Sequence, residues 1–289
     1  MSQEETTAFL EAVGRELQQR GLPHELGDGT VRVERGGEWS DFGLSNLAQF
    51  CHHVGRRSWR EAIATHFDNL FAAEEAEAQL VELARDFEGV RSLLKVRLYS
   101  DAAMGGIDPT PPASWELAPG LTAAFVYDLP TTVRSAGPAE VELWGKDRDA
   151  LLSVALENVR ADPVESKPMA DGPSAPIACF ADHFFAASHA LLLDERIPPA
   201  ARGSAVFAVP HRHAFLYAPL ADMGIVESIN RLIPTTAAMF QDGPGSISPR
   251  LYWWRDGEVS LLPSRLDGGT AHFAPPNEFV QALEALPPA

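Results

Sequence analysis

Residues 176–220, PIACFADHFFAASHALLLDERIPPAARGSAVFAVPHRHAFLYAPL, constrain the fold more than any other stretch of the chain. They read as a short apolar strand, a helix over 182–195, and two strands with a kink at Pro210, where proline removes a ladder donor. The same stretch holds four of the nine histidines, one of the two cysteines, and Arg212 set between His211 and His213. Any chemistry is therefore expected here first.

The rest of the chain supplies what packs around this unit. Phe9, Leu10, Val13 and Leu17 recur at helical spacing over 4–20, and Gly21 and Pro23 stop that helix. Two short strands near 24–26 and 30–34 flank Gly27-Asp28-Gly29, a hairpin signal, and a third is expected at 38–44. Ser45 is placed to cap the helix SNLAQFCHHV. Ser58 is placed to cap a longer helix reaching residue 87, with a break expected near 72–75. Residues 90–100 and 121–129 read as strands, and the segments 139–145 and 147–160 as a helix pair. A polar, proline-containing stretch over 162–176 leads into the central segment. Beyond it, residues 223–240 read as helix divided by Pro234. Asp256-Gly257 joins LYWWR and EVSLL in a hairpin, and 279–286 is a closing helix.

This order predicts an α+β protein of mixed short sheets with flanking helices, in two subdomains. The Pro-Thr-Pro-Pro run within 104–114 is the best candidate boundary. It separates a helix-rich α+β subdomain over 1–110 from a C-terminal α+β subdomain over 115–289.

Charge narrows the function classes. A net charge of −17 argues against a nucleic-acid backbone or an anionic membrane as the dominant partner. Arg56, Arg57 and Arg60 are the nearest approach to a basic patch. No run reaches the length of about 18 apolar residues that a spanning helix needs, and the acidic, amphipathic N-terminal segment is unlike a secretory signal. A cytoplasmic location is expected. Cys51 and Cys179 are too few for a disulfide framework or a four-thiolate zinc site, so both are read as buried thiols.

Residues two apart on a strand share a face. His211 and His213 would then present two imidazoles to a zinc ion, with His183, His189 or Cys179 as third ligand and Arg212 orienting substrate. Cys51-His52-His53 carries ligand atoms too, but adjacent helical residues point to different faces. On the expected helix 182–195, Asp182 is the cap, and Ser188 and His189 turn towards the core. Adjacent helical residues do not face each other, and no G-x-S-x-G elbow exposes Ser188, so no nucleophile–base pair follows. Asp128 and Arg134 flank a loop at a strand exit, a charged pair suited to binding a ligand carboxylate or, as the favoured reading, to tying the loop to itself. Phosphate-binding glycine signatures are absent. Trp253 and Trp254, beside Tyr252, put aromatic rings on both faces of a hairpin, one of them available to a partner protein or covered by the C-terminal helix.

The motifs AFVYDLPTTVRS (124–135), Trp144-Gly145, ALENVR (155–160), DHFFAASHALL (182–192), AVPHRH (208–213) and SPRLYWWRDG (248–257) stand in an order that resembles the bacterial YtpQ-like family, a domain of unknown function. The likeness covers residues 90–260. It implies an acidic or small polar residue after Arg212, where this chain carries His213, and it brings no activity with it. With no complete catalytic or cofactor constellation in the sequence, the leading expectation is a non-catalytic protein-binding or adaptor module without a cofactor. The alternative is a zinc-dependent, hydrolase-type enzyme built on His211 and His213.

Overall fold

The computed structural model describes residues 3–104, 112–130, 132–201 and 203–289. It is an α+β protein whose sheets are all antiparallel among the described residues. The chain forms two compact units: residues 1–80 with 130–132, and residues 81–129 with 133–289.

In the first unit, helix α1 (Gln3–Gln19) buries Phe9, Val13 and Leu17, one residue per turn along a single face. Gly21, at φ 70°, ends it, and the Leu22 amide returns to the Leu17 carbonyl. Strands β1 (His24–Leu26), β2 (Thr30–Arg35) and β3 (Glu38–Gly43) form a meander in which Val31 and Val33 face the core. Helices α2 (Ser45–Val54) and α3 (Trp59–Leu83) close the unit around Leu44, Leu47, Cys51, Ile63 and Phe67. Arg20 ties α1 to α3, donating to Asp68 at 2.6 Å and to the Ala64 carbonyl at 2.9 Å.

Two expectations change here. Leu44, not Ser45, is the N-cap of α2, and it makes no side-chain bond to the helix. Helix α3 runs unbroken through 72–75, because Ala72-Ala73-Glu74-Glu75 are strong helix formers.

The second unit opens with the short helix α4 (Phe87–Val90), capped by Asp86. Strand β4 (Leu94–Tyr99) is followed by a helical turn, α5 (Asp101–Met104). Strands β5 (Ser114–Ala118), β6 (Leu121–Asp128) and β7 (Val133–Ser135) complete a sheet in which β4 lines one edge of β6 while β5 and β7 share the other. The proline run read as a boundary lies mostly outside the described residues. The strands on its two sides, β4 and β6, pair directly from Leu94↔Tyr127 to Tyr99↔Thr122, so both flanks of that stretch share one sheet.

Helices α6 (Pro138–Leu143) and α7 (Arg148–Arg160) follow. Asn158 pins α7 to β4 by donating to the Arg91 and Leu94 carbonyls at 2.7 and 2.8 Å. Strands β8 (Glu165–Pro168), β9 (Ile177–Phe180), β10 (Ser204–His211), β11 (Ala214–Pro219), β12 (Leu251–Arg255) and β13 (Glu258–Leu262) build a six-stranded sheet in the order β13-β12-β10-β11-β9-β8. Strands β10 and β11 are buried on both faces.

One face of this sheet packs on helix α8 (Ile225–Asp242) and the C-terminal helix α9 (Asn277–Glu284), around Val206, Leu216, Ile229, Leu232, Trp253 and Phe279. Helix α8 passes through Pro234 without dividing. Pro234 and Asn230, the residue whose carbonyl it leaves unpaired, both lie on the solvent side, where water satisfies the freed acceptor. A hairpin over β14 (Ser264–Asp267) and β15 (Thr270–Phe273) turns on Gly268-Gly269, both at positive φ, and was not foreseen.

Candidate functional site

Strand β4 places the first part of a polar cluster. Its alternation sends Leu94, Val96 and Leu98 into the core and Lys95, Arg97 and Tyr99 to the opposite face. Lys95 is buried, with its ammonium 2.6 Å from Asp128 at the end of β6 and 2.6 Å from Asp162 beyond α7. The same ammonium stands over the ring of Phe185 at 4.6 Å from the centroid. Asp128 therefore pairs with Lys95, and Arg134 donates to Glu140 at 2.8 Å, so the Asp128–Arg134 pair expected from sequence does not form.

The segment read as one helix over 182–195 is a loop followed by a 3₁₀ run, Ala187–Glu195, kinked at Leu192. Asp182 is exposed in the loop and caps no helix. Ser188 and His189 are buried as expected, but the Ser188 hydroxyl has no hydrogen-bond partner among the described residues. No activated serine exists there. His183 is consumed by its own backbone surroundings: one ring nitrogen meets the Pro163 carbonyl at 2.9 Å and the other accepts from the Phe185 amide at 3.2 Å. Arg196 donates to His189 Nδ1 at 3.0 Å. Burial, then the charge of Arg196, then that of His183 push the His189 pKa down to about 4, so this imidazole is neutral near pH 7.

His211-Arg212-His213 corrects the strand reading. His211 is the last residue of β10, Ala214 opens β11, and His211 pairs with Ala214, leaving Arg212 and His213 as a two-residue turn. A register shift between Ala208 and His211 accompanies it. The two rings lie 6.4 Å apart between centroids, and the His211 Nδ1 accepts the His213 amide at 3.3 Å. His213 spends both ring nitrogens within the chain: Nδ1 meets the Ala181 carbonyl at 3.2 Å and Nε2 accepts from Arg212 Nε at 3.0 Å. Burial first, then the His213 and Arg212 charges, lower the pKa of His211. Among the described residues no three His, Cys, Asp or Glu side chains converge as a metal shell requires. His183 is not brought to the His211–His213 pair as a third ligand. Cys179 is buried against Ser166, and burial raises its pKa, which disfavours the thiolate.

Arg212 reaches across the turn to the ring of Phe184, with its guanidinium carbon 4.8 Å from the centroid, and Arg97 of β4 approaches the same ring at 5.8 Å. Sequence reasoning missed Arg97 and Lys95. The signal was present in LKVRLY, where cationic residues alternate with apolar ones, but their partners come from segments remote in sequence.

Trp253 and Trp254 lie on β12, a strand bordered on both sides, and are 2% and 7% exposed. Trp253 donates to Ser204 Oγ at 2.7 Å and meets Phe279 of α9 edge-on at 5.1 Å. The C-terminal helix covers the ring that an interface would have used, so the tryptophans are core and offer no docking face. In the other unit, Cys51 points into the core while His52 is exposed, so these neighbours diverge; the His53 side chain is outside those described.

Exposed apolar surface occurs in the first unit. A groove of about 520 Å³ runs between α2 and α3, floored by Leu47 and Ala62 and rimmed by Glu61, Thr65 and Asn69. Phe50 and Val54, on the α2 side, are 55% and 36% exposed. The chain matches no protein-family model, no curated protein and no solved structure.

Proposed function

We propose that the chain is a cytoplasmic, non-catalytic protein-binding module, an adaptor whose partner docks an amphipathic helix into the groove between α2 and α3. One observation carries this reading: Phe50 stands 55% exposed at the lip of a groove between two helices. An exposed phenylalanine beside an apolar channel with a polar rim is the arrangement that helix-in-groove recognition uses. Burying such a side chain contributes about 1.5–3 kcal/mol, enough for one anchor of an interface.

Two further features support the proposal. The histidines and the serine of the central segment are engaged in, or buried by, the fold without forming a nucleophile–base pair or a three-ligand shell among the described residues. The two cysteines are unpaired and buried, which suits a reducing compartment. Among the described residues no helix is long and apolar enough to cross a membrane. Kinship with the YtpQ-like family enters the proposal on the quoted motifs alone.

The test is native mass spectrometry of the chain isolated from its own cells under gentle lysis, alongside Phe50→Glu and a control, Trp39→Ala, which alters another exposed aromatic of the same unit. The expected result is a complex of fixed stoichiometry that Phe50→Glu abolishes and Trp39→Ala leaves intact. A monomeric wild-type chain, or a complex indifferent to Phe50→Glu, overturns the reading.

A further inference from the structure

The chain holds 40 acidic against 23 basic residues, so an arginine on its surface is surrounded by potential partners. Most arginines in ion pairs here find one: Arg20 with Asp68 and Glu16, Arg35 with Glu74, Arg160 with Glu195. Arg97 and Arg212 do not. Neither makes a salt bridge or donates to a carboxylate among the described residues. Instead they converge, from strand β4 and from the β10–β11 turn, on the ring of Phe184, at 5.8 and 4.8 Å from its centroid.

Each guanidinium is held in place by contacts that leave its charge uncompensated. Arg97 also lies over Tyr99 at 5.1 Å, and its Nε is buried without a hydrogen-bond partner. Arg212 uses Nε on His213, and His213 in turn is fixed by the Ala181 carbonyl, so the turn sets the guanidinium plane while both terminal nitrogens remain unbonded among the described residues. The loop carrying Gly245 closes the other side. A Cβ on Gly245 would come within 2.9 Å of Arg212 Cδ, and the Arg212 amide donates to the Gly245 carbonyl at 3.2 Å. Two like charges placed together, half-buried and unpaired, oppose each other: burial first and then Arg97 lower the Arg212 pKa.

We infer that Arg97 and Arg212, both packed against the ring of Phe184, form a binding site for a terminal phosphate group. Two positive charges match the −1.5 to −2 of a phosphate monoester near pH 7. Its three terminal oxygens accept from two planar forks, which a lone carboxylate with two oxygens satisfies less fully. Phe184 supplies an apolar wall that raises the strength of each charge-assisted bond by excluding water. The site takes a single phosphate, so it is compatible with the acidic surface that disfavours a nucleic-acid backbone.

The experiment is a calorimetric titration of the full chain with inorganic phosphate at fixed ionic strength, with succinate as the dicarboxylate arm and chloride as the blank. O-phosphoserine and glycerol 3-phosphate are titrated next, and the tighter of the two identifies the source as a modified side chain or a small metabolite. Saturable 1:1 phosphate binding is expected, weakened at least about tenfold in both Arg97→Gln and Arg212→Gln, with unchanged circular dichroism. Phosphate no better than chloride, succinate preferred over phosphate, or unweakened binding by the variants overturns the site. Should a glutamine variant fail to fold, Arg97→Lys and Arg212→Lys keep the charge and remove the fork. The same tenfold loss is expected of them, and undiminished binding overturns the proposal.

Discussion

The ammonium of Lys95 lies over the face of Phe185, 4.6 Å from its centre, while two carboxylates approach it at 2.6 Å from other directions. A cation this enclosed is tolerated because every side of it is compensated. Asp128 and Asp162 arrive from different elements, so the lysine stitches the end of β6 to the segment after α7.

Removing that cation leaves two carboxylates facing each other. Lys95→Ala is expected to destabilise the protein by about 2 kcal/mol or more, somewhat less than the 3–5 of a fully buried pair because Asp128 and Asp162 are partly solvated. Urea unfolding at pH 7 measures the loss. Adding Asp128→Asn and Asp162→Asn to Lys95→Met should recover most of it, and no recovery would show that packing, not charge, was lost.

His189 makes stability pH-dependent. Its folded pKa of about 4 lies below the ordinary histidine value near 6.5, so between those limits the unfolded chain binds the extra proton. Stability is therefore full above about pH 6.5 and declines as pH falls towards 4, by an amount of order 3 kcal/mol from this group. His211 and His66, both lowered chiefly by burial, add to the slope with the same sign. The urea midpoint followed from pH 7 to pH 4.5 should fall steeply in the parent and less steeply in His189→Gln; equal slopes would refute the assignment.

Gly243 has no room for a side chain. A Cβ there would collide with the His211 ring and come within 2.6 Å of the Met239 carbonyl. Gly243→Ala is expected to cost about 1–3 kcal/mol through overpacking. A double-mutant cycle with His211→Ala separates the ring from the backbone: relief of about half the loss assigns the strain to the ring, and full additivity assigns it to the carbonyl.

Trp253 tests the covered hairpin. Trp253→Phe keeps an aromatic ring against Phe279 but leaves the buried Ser204 hydroxyl without its donor, at an expected cost of about 1–3 kcal/mol. Ser204→Ala in the same background should return part of that. Thermal unfolding reads both.

The extent to which the sequence foretold this structure varies by element for physical reasons. Helix α1, strand β6 and the Asp256-Gly257 hairpin carry their own local signals, and each stands where periodicity or turn chemistry puts it. The β10–β11 turn carries none. AVFAVPHRHAFLYAP is apolar on both sides of the histidines, with no glycine or asparagine between, so it reads as two strands kinked at Pro210 with both histidines on strand. The structure folds it back on itself with a register shift. That single reversal places His211 at a strand end and His213 in the turn, where the zinc reading had set both on one strand. The Arg97–Arg212 relationship was invisible for another reason: each residue is ordinary in its own strand or turn, and only the docking of two sheets on Phe184 brings them together.

Strand β10 has two kinds of neighbour. Strand β11 follows it after two residues, whereas β12 reaches it only after helix α8 has been threaded between them. Closing the short connection sacrifices little chain freedom, and closing the long one sacrifices more before any contact repays it. Arg212 is thus oriented by a local event, while Arg97 and Phe184 arrive with the slow, non-local assembly of the molecule. A chain that has made its hairpins but not yet joined its sheets has no paired arginines, and the charge pair becomes a property only of the finished fold.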